Sequence, residues 1–222
     1  ENFYLKCNLA VKWYSEMIDL GTGNAPNMGA NDGTYLFNYD QKNYRDFRPS
    51  LILASSIFNI PIDDSIQVSH CLQIIFSLPS SSVNKEKKVS KEYSVGGYTR
   101  LERDEGKAII RVPKYKFRPP HSDALHIDVW QDGINWIRDS GSFSYVLPKS
   151  DQASFSGTKG HSTIQFDEKD QMPKISRFLF GNWLNPSHSF FDDKNNTMSA
   201  GYKDQNGNSH VRKVREIEKE FY

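Results

Sequence analysis

The chain has 222 residues, with 28 basic and 27 acidic side chains and a formal charge of +1. So balanced a charge gives no strong field toward nucleic acid or an anionic membrane surface. No apolar run approaches the ~18 residues that a membrane-spanning helix needs. The length is enough for one large domain or two small ones with a sizeable buried core. Aromatic residues make up 13%, including 4 Trp and 11 Tyr. That suits stacking on sugar rings and suits an aromatic-rich β core equally well. Cys7 and Cys71 fall in segments that read as helical and show no metal-ligand spacing, so two buried free thiols are expected and the compartment stays open. The N-terminus carries no signal-peptide pattern.

In chain order, residues 2–19 place Phe3, Leu9, Trp13 and Met17 at roughly helical spacing, flanked by Val11 and Ile18. This predicts an amphipathic helix ended by Gly21 and Gly23. Residues 23–33 hold three glycines, a proline and three asparagines, a composition no helix or central strand accepts. These amides and turn-formers either cap neighbouring elements or present hydrogen bonds to a ligand. Asp46-Phe47-Arg48-Pro49 opens a second helix, with Pro49 in its first turn and Leu51, Ile52, Leu53, Ile57 and Phe58 as an apolar stripe that Pro61 stops. Asp63 or Asp64 would cap a third helix over Ser65 to Leu78.

Residues 79–97 are small, charged and turn-rich, which predicts a linker or crossover. Beyond them the period changes to two. Tyr98–Arg103 and Lys107–Val112 read as a hairpin around Asp104-Glu105-Gly106. Later strands are expected at Ser162–Phe166, Arg177–Trp183, Met198–Lys203 and His210–Val214. Short strands between turn signals indicate an antiparallel sandwich or large sheet. The last residues stop without a turn or polar tail, so the chain is expected to end partway through a sheet.

The richest stretch runs from Arg118 to Tyr145. Ala124 to Trp130 alternates, with Leu125, Ile127 and Val129 on one side and Ala124, His126, Asp128 and Trp130 on the other. Period two predicts a strand with one buried and one open face. Asp132-Gly133 supplies a type I′ turn, and Ile134 to Arg138 reads as the return strand. With Gln131 facing Ile134, the register sets Trp130 opposite Asn135 and His126 opposite Asp139. The open face then offers an imidazole, a carboxylate and an indole, either as the floor of a polar site or as an ordinary solvated hairpin face.

His121, His126, Asp139 and His161 are the residues with chemistry to offer. Two His and one Asp from separate strand ends match a three-ligand zinc site with an open fourth position. The alternative is a set of hydrogen-bonded histidines tying loops to the sheet. Arg118 can pair with a substrate carboxylate or simply satisfy nearby acids. Asp170-Gln171-Met172 reads as a turn. No G-x-S-x-G, H-E-x-x-H, Walker loop or dinucleotide fingerprint is present, so hydrolase triads and nucleotide enzymes lack support.

Five ordered blocks together resemble the heparinase II/III-like family of polysaccharide lyases and its relatives in bacterial surface-polysaccharide clusters. They are A-P-N-M-G-A-N-D-G at 25–33, D-F-R-P at 46–49, R-P-P-H-S-D-A-L-H-I-D-V-W at 118–130, D-S-G-S-F-S-Y at 139–145 and G-H-S-T-I-Q-F-D-E-K-D-Q-M at 160–172. The resemblance implies an α+β fold in which terminal helices of an (α/α) toroid precede a layered antiparallel β-sandwich. Residues 1–78 would be the helical part, 79–97 the linker and 98–222 the sandwich.

The chemistry implied is β-elimination on a uronic-acid-containing polysaccharide. The carboxylate is neutralised, the C5 proton removed and the leaving oxygen protonated. The Tyr and the Asn or His that do much of this in the family lie upstream of the part present here. Zinc-binding members use an H-x-H-x-D segment, a later Asp in a D-S-G turn and a His before the next block. By resemblance the zinc ligands here are His121, Asp139 and His161. Where those members carry the first His of H-x-H, which has a catalytic part, this chain has Pro119, and proline can neither shuttle a proton nor neutralise charge. The catalytic candidates are therefore Arg118, His121 and His126. The register gives Asp139 to His126 and the resemblance gives it to His121; a bulge before Asp139 would change that pairing.

Candidate substrate-binding residues are Asn27, Asn31 and Asp32 of the amide-rich loop, Arg48 and Trp130. The expected partner is an acidic polysaccharide, without nucleic acid or membrane insertion, and the oligomeric state is open. The resemblance implies a periplasmic or secreted location, and the sequence itself leaves the cytoplasm open. The alternative is a non-catalytic glycan-binding or surface-polysaccharide-biosynthesis relative that lost the catalytic His.

Overall fold

A computed structural model describes residues 2–31, 43–61, 77, 88–103, 106–217 and 220–221. The chain divides into two units. One takes in Glu1–Pro26 and Thr34–Lys88, the other Asn27–Gly33 and Val89–Tyr222. Among the described residues no helix is long and apolar enough to cross a membrane.

The first unit contains α1 (Asn2–Met17) and α2 (Arg48–Phe58). The expected helix over 2–19 is there, but its buried side differs from the expected stripe. Val11, Met17 and Ile18 are buried, whereas Phe3, Leu9 and Trp13 are exposed. Against this side α2 lays Leu51 and Ile52, and Ala25 and Ile60 complete the cluster. Pro49 occupies the first turn of α2, where its missing N–H costs no helical bond. Asn59 ends the helix in the left-handed region at φ 51°, and Ser55 closes the cap by accepting from the Ile60 N–H at 3.0 Å and donating its hydroxyl to the Ile60 carbonyl. The third expected helix lies outside the described residues except for Ser77, as does Cys71. Cys7 carries a free, half-buried thiol.

The second unit is antiparallel β. β1 (Lys91–Tyr93), β2 (Tyr98–Glu102), β3 (Gly106–Arg111), β4 (Ile127–Gln131) and β5 (Ile134–Ile137) form a sheet in sequence order. β8 (Pro186–Asp192), β9 (Thr197–Lys203), β10 (Ser209–Ile217) and β11 (Glu220–Phe221) form a second, in the order β11-β10-β9-β8. Between them in sequence come a short helix α3 (Lys149–Ser156), a 3-10 turn at Thr158–Gly160 and a small β6–β7 hairpin (Lys174–Ser176, Leu179–Phe180). Leu101, Ala108 and Ile110 of the first sheet share one core with Met198, Ala200, Tyr202 and Val214 of the second. Each fully buried side chain of this size contributes roughly 1.5–3 kcal/mol. That shared core makes a sandwich, and the architecture is α+β.

Several elements depart from expectation. The stretch read as linker holds β1, because Gly96 and Gly97 turn the chain back so that Tyr93 pairs with Tyr98. Ser162–Phe166 is not a strand; its backbone instead bonds to the loop before β4. Arg177–Trp183 is split, and Arg177 and Phe178 make the turn of the β6–β7 hairpin. β8 is a sheet edge with mostly exposed side chains, which accommodates Pro186 at its start and leaves little alternation to read.

The 118–145 hairpin departs in an informative way. Asp132 (φ 52°) and Gly133 (φ 74°) make the expected type I′ turn, with Gln131 facing Ile134 and Trp130 facing Asn135. Beyond Asn135 a bulge intervenes, and Val129 pairs with Ile137, so His126 is not opposite Asp139. The strand starts only at Ile127, since Leu125 sits at φ 58° and the chain turns through Ala124 and Leu125. The side expected to be open is closed: His126 and Asp128 are fully buried and Trp130 is 2% exposed.

Candidate metal centre

Three loops deliver the site, and buried polar contacts fix each of them. The first follows β3. Leu125 N–H donates to the Arg111 carbonyl at 2.7 Å, and Ser122 N–H to the Ser156 carbonyl at 2.9 Å, which anchors the chain directly after His121. The second follows β5. Asp139 folds its carboxylate back so that Oδ1 accepts from the Gly141 N–H at 2.7 Å. Gly141 needs to be glycine twice over: its φ is +70°, and a Cβ would lie 2.2 Å from Asn27 Nδ2. The third is the 3-10 turn, where His161 N–H donates to the Thr158 carbonyl at 3.1 Å and Thr158 N–H to Asp170 Oδ1 at 2.7 Å.

His121, Asp139 and His161 come together with ligand atoms all within 4.8 Å of one another, and all three are buried. His161 Nδ1 lies 2.9 Å from Asp139 Oδ2, and His121 Nδ1 lies 4.0 Å from Asp139 Oδ1. The two imidazoles are 5.0 Å apart between centroids. His121 Nε2 contacts Ser142 Oγ at 2.9 Å. Behind them, His126 accepts the Ser162 N–H on Nδ1 at 2.9 Å, which leaves its proton on Nε2. That nitrogen is 3.7 Å from Asp128 Oδ2 and 3.8 Å from Asp139 Oδ2.

Three buried ring nitrogens around the site have no hydrogen-bond partner among the described residues: His121 Nδ1, His126 Nε2 and His161 Nε2. Leaving such groups bare costs free energy, and two of them, His121 Nδ1 and His126 Nε2, lie 4.0 Å and 3.8 Å from the Asp139 carboxylate. Burial, and then the neighbouring His161, push His121 down to about 4, so it is neutral near pH 7. Burial opposes the charge on Asp139, yet the hydrogen bond from His161 and the surrounding imidazoles hold its carboxyl below the usual range. His161 is likewise opposed by burial and raised by Asp139. A neutral imidazole, a carboxylate and a second imidazole are the donors zinc takes. Tetrahedral zinc sets ligands roughly 3.3 Å apart, so the group fits after a small contraction.

His121 is also at the floor of a cleft of about 500 Å³ lined by Arg118, Ser142, Tyr145, Ser156, Arg177 and Phe178 among others. Arg118 is exposed there. His126, fully buried, cannot touch a substrate and serves as a positioning residue. Trp130 is no sugar platform either, since its indole donates to Asp128 and Lys107 Nζ sits 4.8 Å over its ring. Asn27 Nδ2 reaches the Asp139 carbonyl at 3.4 Å and so supports the ligand turn from behind. Asn31 is exposed, and Asp32 lies outside the described residues. Arg48 is committed within the helical unit, to Asp46 at 2.7 Å and to the Gly21 carbonyl at 3.0 Å.

Two positioning residues escape a reading of motifs. Gln171, read as part of a turn, accepts from the Ala124 N–H at 3.0 Å and donates to the Ala124 carbonyl at 3.1 Å, which straps the third loop to the first. Arg212 on β10 donates from one nitrogen to the Leu125 and Ser162 carbonyls, both at 2.6 Å. Gln171 lies inside a recognised block, which is a signal of sorts; nothing near Arg212 in sequence points to the site.

Residues 85–221 match the family model described as heparinase II/III-like, C-terminal. No curated protein matches the chain. Among solved structures, a heparinase III with methylated lysines superposes with a TM-score of 0.57 at 14% identity, over 94% of this chain and 29% of that one. The heparan sulfate lyase HepC from Pedobacter heparinus gives 0.52 at 18% identity, over 92% of this chain and 30% of that one. The chain thus spans about three tenths of the length of these structures, and likeness at such identity concerns the fold. Matched by the family model over more than half of its residues, the chain belongs to the heparinase II/III-like C-terminal family.

Proposed function

We propose that this chain is a fragment, helices followed by the β-domain, of a polysaccharide lyase that acts on an acidic, uronic-acid-containing polysaccharide by β-elimination, with zinc held by His121, Asp139 and His161. The observation that carries the reading is the convergence of these three buried side chains, two of them with a ring nitrogen that has no partner among the described residues, with His121 lining a cleft that Arg118 also lines. When bound there, zinc would supply a fixed positive charge and a Lewis acid for a substrate oxygen. Arg118 has no hydrogen bond or ion pair with any described residue. Its fork is free to neutralise the uronate carboxylate, which lowers the barrier to removing the adjacent proton. Ser142, hydrogen-bonded to His121, holds that ring in place at the floor of the cleft.

Metal analysis of the purified chain is expected to give one zinc per chain, with a fall in melting temperature on chelation. His121→Ala should abolish both; absence of metal together with unchanged melting of this variant would remove zinc from the reading. On uronate polymers the chain joined to the upstream helical part that carries the family's Tyr and Asn or His is expected to generate the ultraviolet absorbance of an unsaturated uronate, and Arg118→Gln in that protein to lower kcat/KM roughly 100-fold.

Pro119 favours a second reading, a glycan-binding or surface-polysaccharide-biosynthesis relative without lyase activity. Proline replaces a proton-transferring side chain, and the nearest alternative imidazole, His126, is sealed in the interior. Binding of acidic polysaccharide with no unsaturated product would select this reading.

A further inference from the structure

Beside His121 the cleft wall is built from residues that the zinc site does not use. Phe117, Arg118, Tyr145, Arg177 and Phe178 line it, and among the described residues no Asp or Glu does. Arg177 stands at the turn of the β6–β7 hairpin, where Nη1 donates to the Tyr145 carbonyl at 2.8 Å. That bond fixes the guanidinium against the cleft and leaves its other N–H groups unengaged among the described residues. The Tyr145 and Phe178 rings meet edge to face at 5.2 Å and form a single aromatic wall. A third cation stands behind the lining: Lys174 Nζ donates to Ser156 Oγ at 2.7 Å, and Ser156 itself faces the cleft. Burial lowers the Lys174 ammonium, Asp170 opposes this, and the charge of Arg177 lowers it further.

We propose that Arg177, in the cleft that Arg118 also lines, forms a subsite for a second anionic group on the polysaccharide, a sulfate or a carboxylate, while the sugar ring rests on the Tyr145–Phe178 wall. The inference rests on the acidic-polysaccharide reading above and adds its specificity determinant. Two guanidinium groups that make no ion pair with a described residue attract anionic oxygens, and a planar fork takes two of them at once. Aromatic faces beside the fork accept the apolar side of a sugar ring and exclude water from the contact. Arg118 meets the group next to the reacting carbon; Arg177 reads the substitution of the neighbouring sugar.

The test is calorimetric binding of the zinc-loaded 222-residue chain to three probes: a sulfated uronate tetrasaccharide, its desulfated counterpart and inorganic sulfate. Arg177→Gln should weaken the sulfated tetrasaccharide about tenfold and flatten the salt dependence of binding. Phe178→Ala should weaken both tetrasaccharides and leave sulfate untouched. Lys213→Gln, an exposed charge on β10, serves as the control with unchanged binding. If the wild-type chain prefers the sulfated probe, the second anion is a sulfate; if both tetrasaccharides lose equally in Arg177→Gln, it is a carboxylate. Strong binding by wild type that Arg177→Gln leaves unaltered overturns the subsite while the functional reading stands. No binding of any tetrasaccharide overturns both. Unchanged melting of the variants, expected for exposed side chains, keeps misfolding from mimicking the result.

Discussion

On one face of the five-stranded sheet, Leu101, Ala108 and Ile110 close against Met198, Ala200 and Val214 of the second sheet. On the other face, Arg100, Lys107, Arg111, Asp128 and Trp130 are as thoroughly buried, yet four of the five are charged. The same strands β2, β3 and β4 carry both sets, because alternate residues point to opposite sides. The apolar face is held by packing, which is non-directional and forgiving of detail as long as volume is filled. The polar face is held by pairings of fixed geometry: Arg100 to Glu102 at 3.0 Å, Arg111 to Asp123 at 3.6 Å, and Tyr115 to Asp123 at 2.8 Å. Buried ion pairs add little net stability, since desolvation offsets most of their attraction. Their use here is positional: Asp123 and Asp128 flank His126 in sequence, and the site loops grow directly out of this face.

That contrast is sharpest where a change on one face should leave the other alone. Ile110→Ala, at a fully buried position, is expected to cost about 2–5 kcal/mol in denaturant unfolding with zinc stoichiometry unchanged in the folded fraction. A variant that lost zinc at an unaltered stability would break the division between faces.

Gln171→Met should reverse the balance. It removes both bonds to Ala124 and leaves the buried Ala124 N–H unsatisfied, while the carbonyl keeps the Thr163 hydroxyl at 2.6 Å, for about 1–3 kcal/mol. The larger consequence falls on the metal, with zinc affinity down roughly 10–100-fold because the strap between the His121 and His161 loops is cut. Competition with a chromogenic chelator measures that affinity. Loss of stability with affinity preserved would make Gln171 a packing residue only.

This division of faces was half legible in the sequence. Alternation from Ile127 to Trp130 told correctly which residues share a side, and Asp132-Gly133 gave the turn and its register. Alternation does not say whether the second side is covered. Leu125, Ile127 and Val129 pack with the core as the apolar-in rule requires, but the side expected to be open is buried as well, since Asp128 and Trp130 satisfy each other and tolerate burial. The meeting of His121, Asp139 and His161 followed from the block pattern, whereas the bulge that excludes His126 from facing Asp139 has no local signature in Asn135-Trp136-Ile137. Gln171 and Arg212 act on backbone carbonyls and N–H groups, and such contacts impose no pattern on the partner residues that a sequence could display. In the helical unit, spacing located α1 correctly but chose Phe3, Leu9 and Trp13 over Val11 and Ile18, because several stripes on that helix are apolar enough to be buried.

The apolar side is not free of titration, and its one exception among the described core pairs tests how far the contrast holds. His210 on β10 pairs directly with Tyr202, a core residue, and the two rings meet edge to face at 5.7 Å. Burial, and then the nearby charge of Arg212, lower His210 from 6.5 to about 4. The unfolded chain therefore takes up a proton near pH 6.5 that the folded chain refuses until about pH 4. In that window the unfolded state binds more protons, so stability is greatest above about 6.5 and falls as the pH drops toward 4. His121 adds a slope of the same sign, because it too is lowered to about 4, while His161 is raised and works in the opposite sense. His210→Leu isolates the core contribution: it should flatten part of the acid-side fall and leave the His121 part in place. Denaturant unfolding of the metal-free protein across pH 4–7 reads the difference between the two proteins. Parallel curves would mean that His210 escapes to solvent on protonation and that titration is confined to the polar face; a shallower variant curve means that packing alone, without any ion pair, makes the second sheet acid-sensitive.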